Sequence, residues 1–235
     1  MHTILITGAT RGIGYAAAKR LLARGQRVLA LGRDFSKFDL DGEHCVRVPF
    51  DLRQLEDIES LCASLGAIDV LVNNAAILNA HPFEQYTPQD RRDVIATNIE
   101  APAELIRCVA PTMVAKSAGN IKGRIINIAS VAGFGGHPDV WYGASKGAIL
   151  NMTKSLAKLY GPHDVMVNAV APGPTKTAMF DQLPQSRVDE FNRLVFAKRF
   201  AEPDEIAQVI EWLALDAPEY ANGSCVDAAS GGYLR

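Results

Sequence analysis

The feature that most limits the fold of this chain is the alternation of short, nearly all-apolar runs with longer amphipathic ones. Residues 3–6, 27–31 (RVLAL), 44–49, 68–72 (IDVLV), 123–129, 165–170 and 224–226 read as strands. Stretches 15–23, 53–65, 89–116, 140–156 and 203–214 carry helical periodicity between them. A strand without in–out alternation, such as IDVLV, belongs in a sheet covered on both faces, and such sheets are parallel. Strand and helix in strict succession therefore predict an α/β fold, a doubly wound parallel sheet with helices on both faces. Residues 34–43 (DFSKFDLDGE) break the rhythm, being too short and irregular for a full crossover helix. With 235 residues, 48% of them hydrophobic, and no repeat, linker or low-complexity tract, residues 1–235 are expected to form a single domain.

Several function classes drop out at this stage. A net charge of −2 argues against nucleic acid or an anionic membrane as the main partner. No apolar run approaches the roughly 20 residues a membrane span needs. The chain enters a strand at once, without the basic and apolar regions of a signal peptide. Its four cysteines are scattered with no Cys-x-x-Cys, and its five histidines show no ligand spacing. Reduced thiols, a cytoplasmic location and no metal site are the expectation.

The first strand ends in TGATRGIG (7–14), and a helix follows. A glycine turn between a strand and a helix lets backbone N–H groups and the helix dipole face a phosphate. Gly8 would supply the tight turn, Gly12 the close backbone approach and Gly14 the room for helix against strand. At the end of the second strand, an acidic residue suits the ribose 2′-hydroxyl of NAD, and an arginine suits the 2′-phosphate of NADP. Here the acidic position reads Gly32, followed by Arg33, with Arg11 in the glycine turn as a second cation. NADP(H) is therefore expected over NAD(H), with Asp34, one residue later, as the group that would favour NAD. Asp51, at the end of the third strand, suits either the adenine amine or the start of the helix beyond it. Asn74 and Ala75 sit in a run of small residues (NNAA, 73–76) over which a flat cofactor can lie. After the sixth strand, Pro172 and Gly173 stop the chain where a nicotinamide would be, and Thr175 and Thr177 offer hydroxyls.

Tyr142 and Lys146 stand four apart in a predicted helix, so phenol and ammonium share one face. A free phenol with a pKa of roughly 10 is a poor base, and a nearby cation lowers that value. Such a pair can give a proton to a carbonyl being reduced or take one from an alcohol being oxidised. Ser130, twelve residues before the tyrosine at a strand end, can hydrogen-bond the same substrate oxygen. Asn98 lies in an apolar stretch of the 89–116 helix. It is either a satisfied core amide or the holder of a water beside Lys146. Residues 178–200 fit no single strand or long helix. They read as two short helices forming a lid over an apolar ketone beside His137 and Trp141, or else as permanent core.

Together these motifs, with Asp51-Leu52, YGASK (142–146), Asn168 and DAASGG (227–232), resemble the short-chain dehydrogenase/reductase family from residue 3 to the C-terminus. The likeness is to its single-domain branch, near the 3-oxoacyl-[acyl-carrier-protein] reductase type. The resemblance implies a Rossmann-type fold and hydride transfer between NADP(H) and a ketone or secondary alcohol. It assigns Tyr142 as general acid/base and Lys146 as the group that lowers its pKa and holds the nicotinamide ribose. Ser130 would orient the substrate oxygen and Asn98 would hold a proton-relay water. Cofactor contacts would come from Gly8, Thr10, Arg11, Gly12, Ile13, Gly14, Arg33, Asp51, Leu52, Asn74, Ala75, Pro172, Gly173, Thr175 and Thr177, besides Tyr142 and Lys146. It also implies a homotetramer, consistent with two long helices (89–116 and 140–160) that are apolar on more than one side. Ala76 departs from the family's usual Gly. An NAD-dependent dehydrogenase of a secondary alcohol, sugar or hydroxyacid, and a non-catalytic nucleotide sensor, are the competing readings.

Overall fold

The computed structural model describes residues 1–117, 122–178 and 185–234. Seven strands form one sheet: β1 Thr3–Thr7, β2 Arg27–Gly32, β3 Cys45–Pro49, β4 Val70–Asn73, β5 Gly123–Ile128, β6 Val165–Pro172 and β7 Cys225–Ala228. Their order is β3-β2-β1-β4-β5-β6-β7, and every neighbouring pair is parallel. The chain winds outward from β1 to β3, then returns to place β4 on the other side of β1. That reversal opens a crevice at the carboxyl ends of β1 and β4, where sheets of this Rossmann-type topology take their ligands.

Side chains leaving alternate faces of the strands build two apolar layers. On one face Ile4, Ile6, Val28, Ala30, Val70 and Val72 pack against Ala17, Ala18 and Leu21 of α1 (Gly12–Ala23). Ile206, Ala207 and Ile210 of α8 (Pro203–Glu211) join them. On the other face Leu5, Leu29, Leu71 and Ile125 meet α2 (Ile58–Leu65) and α4 (Ala101–Ser117). Each fully buried Leu or Ile contributes about 1.5–3 kcal/mol, and these two layers hold the sheet between its helices. Arg20 of α1 and Arg24 just past its end both reach Glu211 of α8, at 2.6 and 2.8 Å, and fix the register of that helix pair.

Residues 34–43 form no helix, as their length implied. Phe38 fills the missing layer, buried and edge-on to Phe35 and Tyr15. The expected single helix over 89–116 is instead two. α3 (Pro88–Ile95) starts on a Thr87–Asp90 capping box, and α4 follows only after a π-helical turn at Ala96–Glu100. Pro102 supplies a physical reason, because it has no N–H to offer the carbonyl four residues back, that of Asn98. The helix expected over 53–65 opens as a 3-10 turn, Leu55–Asp57, and that over 203–214 ends in a second π turn, Trp212–Asp216. Within 178–200, residues 179–184 lie outside the described residues. The described remainder holds one amphipathic helix, α7 (Gln185–Leu194). Val195 and Phe200 beyond it are buried. No helix among the described residues is long and apolar enough to cross a membrane.

Candidate active site

The glycine turn sits at the carboxyl end of β1. Gly8 and Gly12 have φ of +64° and +56°, the left-handed region that glycine enters without cost. A Cβ on Gly14 would stand 2.3 Å from the Gly8 carbonyl oxygen and 2.5 Å from Asn74 Nδ2. Only glycine lets α1 start that close to the strand. Asn74 laces the turn to the end of β4, its Nδ2 donating to the Thr7 and Gly8 carbonyls at 2.9 and 3.2 Å. The N–H groups of Asn74 and Ala75 both donate to Thr7 Oγ1 at 3.0 Å. α1 begins without a side-chain cap and without an acidic residue in its first turn. Its leading amides therefore suit an anion, and the diphosphate of a dinucleotide fits the residues present. Thr177 closes over the same turn, its Cγ2 3.2 Å from where a Gly12 Cβ would be. Thr175 Oγ1 donates to the Gly173 carbonyl at 2.9 Å, which shapes the loop after β6.

At the adenosine end, Gly32 lies under Thr10: a Cβ there would be 2.6 Å from Thr10 Cγ2. Arg11 and Arg33 are both exposed beside it. Asp34 Oδ1 accepts the Ser36 N–H at 2.8 Å, so its carboxylate turns into its own loop. Asp51 is held by Arg53, whose Nη2 reaches Oδ2 at 2.6 Å, and by the Arg53 N–H at 3.1 Å. Arg33 Nη1 stands 4.0 Å from the same carboxylate. The guanidinium of Arg53 holds the Asp51 carboxyl below its usual range. Asp51 therefore anchors a turn at Arg53 but caps no helix, since the next helical turn has Gln54 at its cap. Leu52 is buried in the apolar layer under α2 and α4.

The catalytic candidates come from β5 and α6 (Val140–Tyr160). Ser130 follows β5, its Oγ accepting the Ala132 N–H at 3.1 Å. Lys146 is 3% exposed, and its Nζ donates to the Ile128 carbonyl at 2.7 Å. Nζ lies 5.7 Å from the centre of the Tyr142 ring. Tyr142, Ser130 and Lys146 thus converge at the carboxyl end of β5. In this site burial outweighs any neighbouring cation in its effect on the phenol. Burial raises the Tyr142 phenol above 10.0, and a hydrogen bond with Ser130 opposes it. Burial also pulls Lys146 down, to about 8. The reason is shared: a low-dielectric site penalises phenolate and ammonium alike. A phenol raised in this way keeps its proton at neutral pH.

Asn98 lies in the π turn, 2% exposed. Its Oδ1 accepts the Ile77 N–H and its Nδ2 donates to the Ile77 carbonyl, both at 2.9 Å, and to Ser145 Oγ at 3.0 Å. The amide is fully used by protein, which matches the core-amide alternative for the side chain. His137 packs at 5.2 Å between ring centres on Tyr142, and Arg91 lies 5.8 Å over Trp141. Sequence reasoning missed two residues here. Asp139 is buried and caps α6 through the Tyr142 N–H, and the signal was legible, an Asp just before the predicted helix. Tyr86, which donates to Asp139, had no sequence signal.

Comparison with known proteins agrees with this geometry. A family profile, short chain dehydrogenase, matches residues 2–188. The 3-oxoacyl-[acyl-carrier-protein] reductase of Thermotoga maritima is 33% identical over 97% of this chain and 96% of its own length. A solved structure from Beutenbergia cavernae, provisionally named an NAD(P)-dependent gluconate 5-dehydrogenase and holding NADP at low occupancy, superposes with a TM-score of 0.90. It is 33% identical, over 98% of this chain and 96% of that one. The 3-ketoacyl-(acyl-carrier-protein) reductase of Brucella melitensis, complexed with NADH, gives a TM-score of 0.90 at 25% identity, over 99% and 98% of the two chains. With the motifs in order, the parallel sheet and the Ser130–Tyr142–Lys146 cluster at its edge, the chain belongs to the short chain dehydrogenase family of nicotinamide-dependent oxidoreductases.

Proposed function

We propose that this protein is an NADP(H)-dependent oxidoreductase that interconverts a ketone and a secondary alcohol, with Tyr142 as the general acid/base. The observation that carries the reading is the convergence of Tyr142, Ser130 and a carbonyl-anchored Lys146 at the carboxyl end of β5. When bound, the nicotinamide supplies or accepts the hydride. Tyr142 then delivers the phenol proton to the substrate oxygen in reduction and recovers it in oxidation. Ser130 donates a hydrogen bond to the same oxygen. Lys146, one proton committed to the Ile128 carbonyl, turns its others toward the ribose and the proton path. The relay role expected of Asn98 falls to its backbone carbonyl, since Pro102 denies that carbonyl its helical donor and the side chain is committed elsewhere.

The preference for NADP(H) rests on the adenosine end. Exposed Arg11 and Arg33 suit a 2′-phosphate, Thr10 leaves no room for an acidic side chain at position 32, and Asp34 is turned away. A contact between arginine and phosphate is worth about 1.5–3 kcal/mol. Replacing Arg33 with Ala should therefore raise KM for NADPH about tenfold or more and leave KM for NADH unchanged. A wild-type enzyme that prefers NADH would overturn the assignment. The second reading, an NAD-dependent dehydrogenase, draws support from Arg33 being shared with Asp51 at 4.0 Å. Residues 178–200 as a substrate lid, assembly as a homotetramer and a cytoplasmic location complete the proposal. The exposed Leu194 and Phe196 suit an apolar substrate or partner surface.

A further inference from the structure

A buried carboxylate needs a full set of donors, and Asp139, 2% exposed, has four that proton transfer does not require. Oδ1 accepts the Tyr142 N–H at 2.9 Å, which caps α6. Oδ2 accepts from another part of the chain: the N–H groups of Asn79 at 3.2 Å and Ala80 at 3.1 Å, and the Tyr86 hydroxyl at 2.5 Å. Ala80 has φ of +56°, a conformation that a non-glycine residue keeps only where its surroundings hold it.

A second chain of hydrogen bonds joins the same two segments. Asn98 binds both backbone groups of Ile77 and donates to Ser145 Oγ, and Ser145 Oγ donates to the Tyr142 carbonyl at 2.7 Å. The backbone of Tyr142 is therefore gripped at its N–H by one route and at its carbonyl by the other. Both routes end on residues 77–86. That segment leaves the carboxyl end of β4, the edge where sheets of this topology receive ligands. A helix cap alone needs only Oδ1, so the three donors on Oδ2 serve the loop.

We propose that Asp139 is a positioning residue that, with Tyr86, latches residues 77–86 to the first turn of α6, so that the substrate-side loop and the Tyr142 phenol hold one geometry. The inference deepens the proposed activity and rests on it for its kinetic consequence. Tyr86→Phe removes one bond to Oδ2 and keeps the ring against His81. Asp139→Asn keeps an acceptor for the Tyr142 N–H but presents an amide NH₂ to the three loop donors.

The test combines ketone reduction with NADPH and amide hydrogen exchange on both variants and on Asp139→Ala. In Tyr86→Phe and Asp139→Asn, kcat should fall about tenfold or more while KM for NADPH stays unchanged. Exchange across 77–86 should accelerate, and Asp139→Asn should retain more kcat than Asp139→Ala because the cap survives. Wild-type kcat in Tyr86→Phe and Asp139→Asn overturns the proposal, as does a fall in kcat with exchange across 77–86 unaltered. Should the wild type turn over no ketone or alcohol with either cofactor, the proposed activity fails and exchange alone judges the latch. Faster exchange in Tyr86→Phe, both across 77–86 and in the peptide holding Tyr142, then supports it, and unchanged exchange sinks it.

Discussion

Replacing Lys146 with Met should make the protein more tolerant of neutral pH while removing its activity. Lys146 is 3% exposed, and burial moves its pKa from 10.5 to about 8. That gap is 10.5 minus 8, or 2.5, and at 1.36 kcal/mol for each tenfold step it corresponds to about 3 kcal/mol of cost to the folded state at pH 7. The unfolded chain keeps this proton up to its ordinary value, whereas the folded chain releases it near 8. Between about pH 8 and 10.5 the unfolded state binds more protons, so the contribution of this group to stability rises with pH across that window. By pH 10 the cost has shrunk to less than about 1 kcal/mol. Methionine has a similar length and no charge. It also leaves the Ile128 carbonyl without its donor, a loss of about 1–3 kcal/mol that does not depend on pH. The quantity to measure is therefore the stability difference between variant and wild type as a function of pH, by denaturant titration at pH 7 and pH 10. The variant should lose about 2–3 kcal/mol of its relative advantage over that interval, equivalent to several degrees in Tm for a chain of this size. A difference that stays constant between pH 7 and pH 10 would refute the reasoning. It would mean that Lys146 is not held in a depressed state by its site.

Three further outcomes follow from the same geometry. Tyr142→Phe should lower kcat by about 10²–10⁴-fold yet bind NADPH as the wild type does in a fluorescence titration, and near-normal kcat would remove the assigned role. Because burial raises the phenol, wild-type ketone reduction should be flat through neutral pH and decline only in alkali, with alcohol oxidation rising in the same direction. Gly14→Ala places a methyl 2.3 Å from the Gly8 carbonyl oxygen. Overpacking of that kind costs about 1–3 kcal/mol, seen as a lower Tm together with weaker NADPH binding, and a variant unchanged in both would contradict the tight-turn account.

The pattern of apolar runs and glycines carried far because each signal is local. Seven short hydrophobic runs stand within a residue or two of the seven strands, and TGATRGIG lies where the turn is. The helical spacing of Tyr142 and Lys146 places both on one stretch of α6. The π turn within 89–116 is not legible from the pattern, because apolar periodicity persists through it despite Pro102. Asp139 is legible as a cap from its place just before α6, but its bond to Tyr86 is not, because the two lie far apart in the chain.

What the sequence by itself determined is the alternation of strand and helix, the parallel sheet and the residue types at its carboxyl edge, all set by spacing along the chain. What only the tertiary structure decided is how those groups are charged and held. Sequence spacing predicts that an ammonium beside a phenol lowers the phenol's pKa; in the folded site desolvation raises the phenol and lowers the lysine. Likewise, Tyr86 and Asp139 are 53 residues apart and meet at 2.5 Å only because β4 and α6 are brought to one edge of the sheet. Desolvation and long-range hydrogen bonds depend on what packs around a group, and that is a property of the fold rather than of any local run of residues.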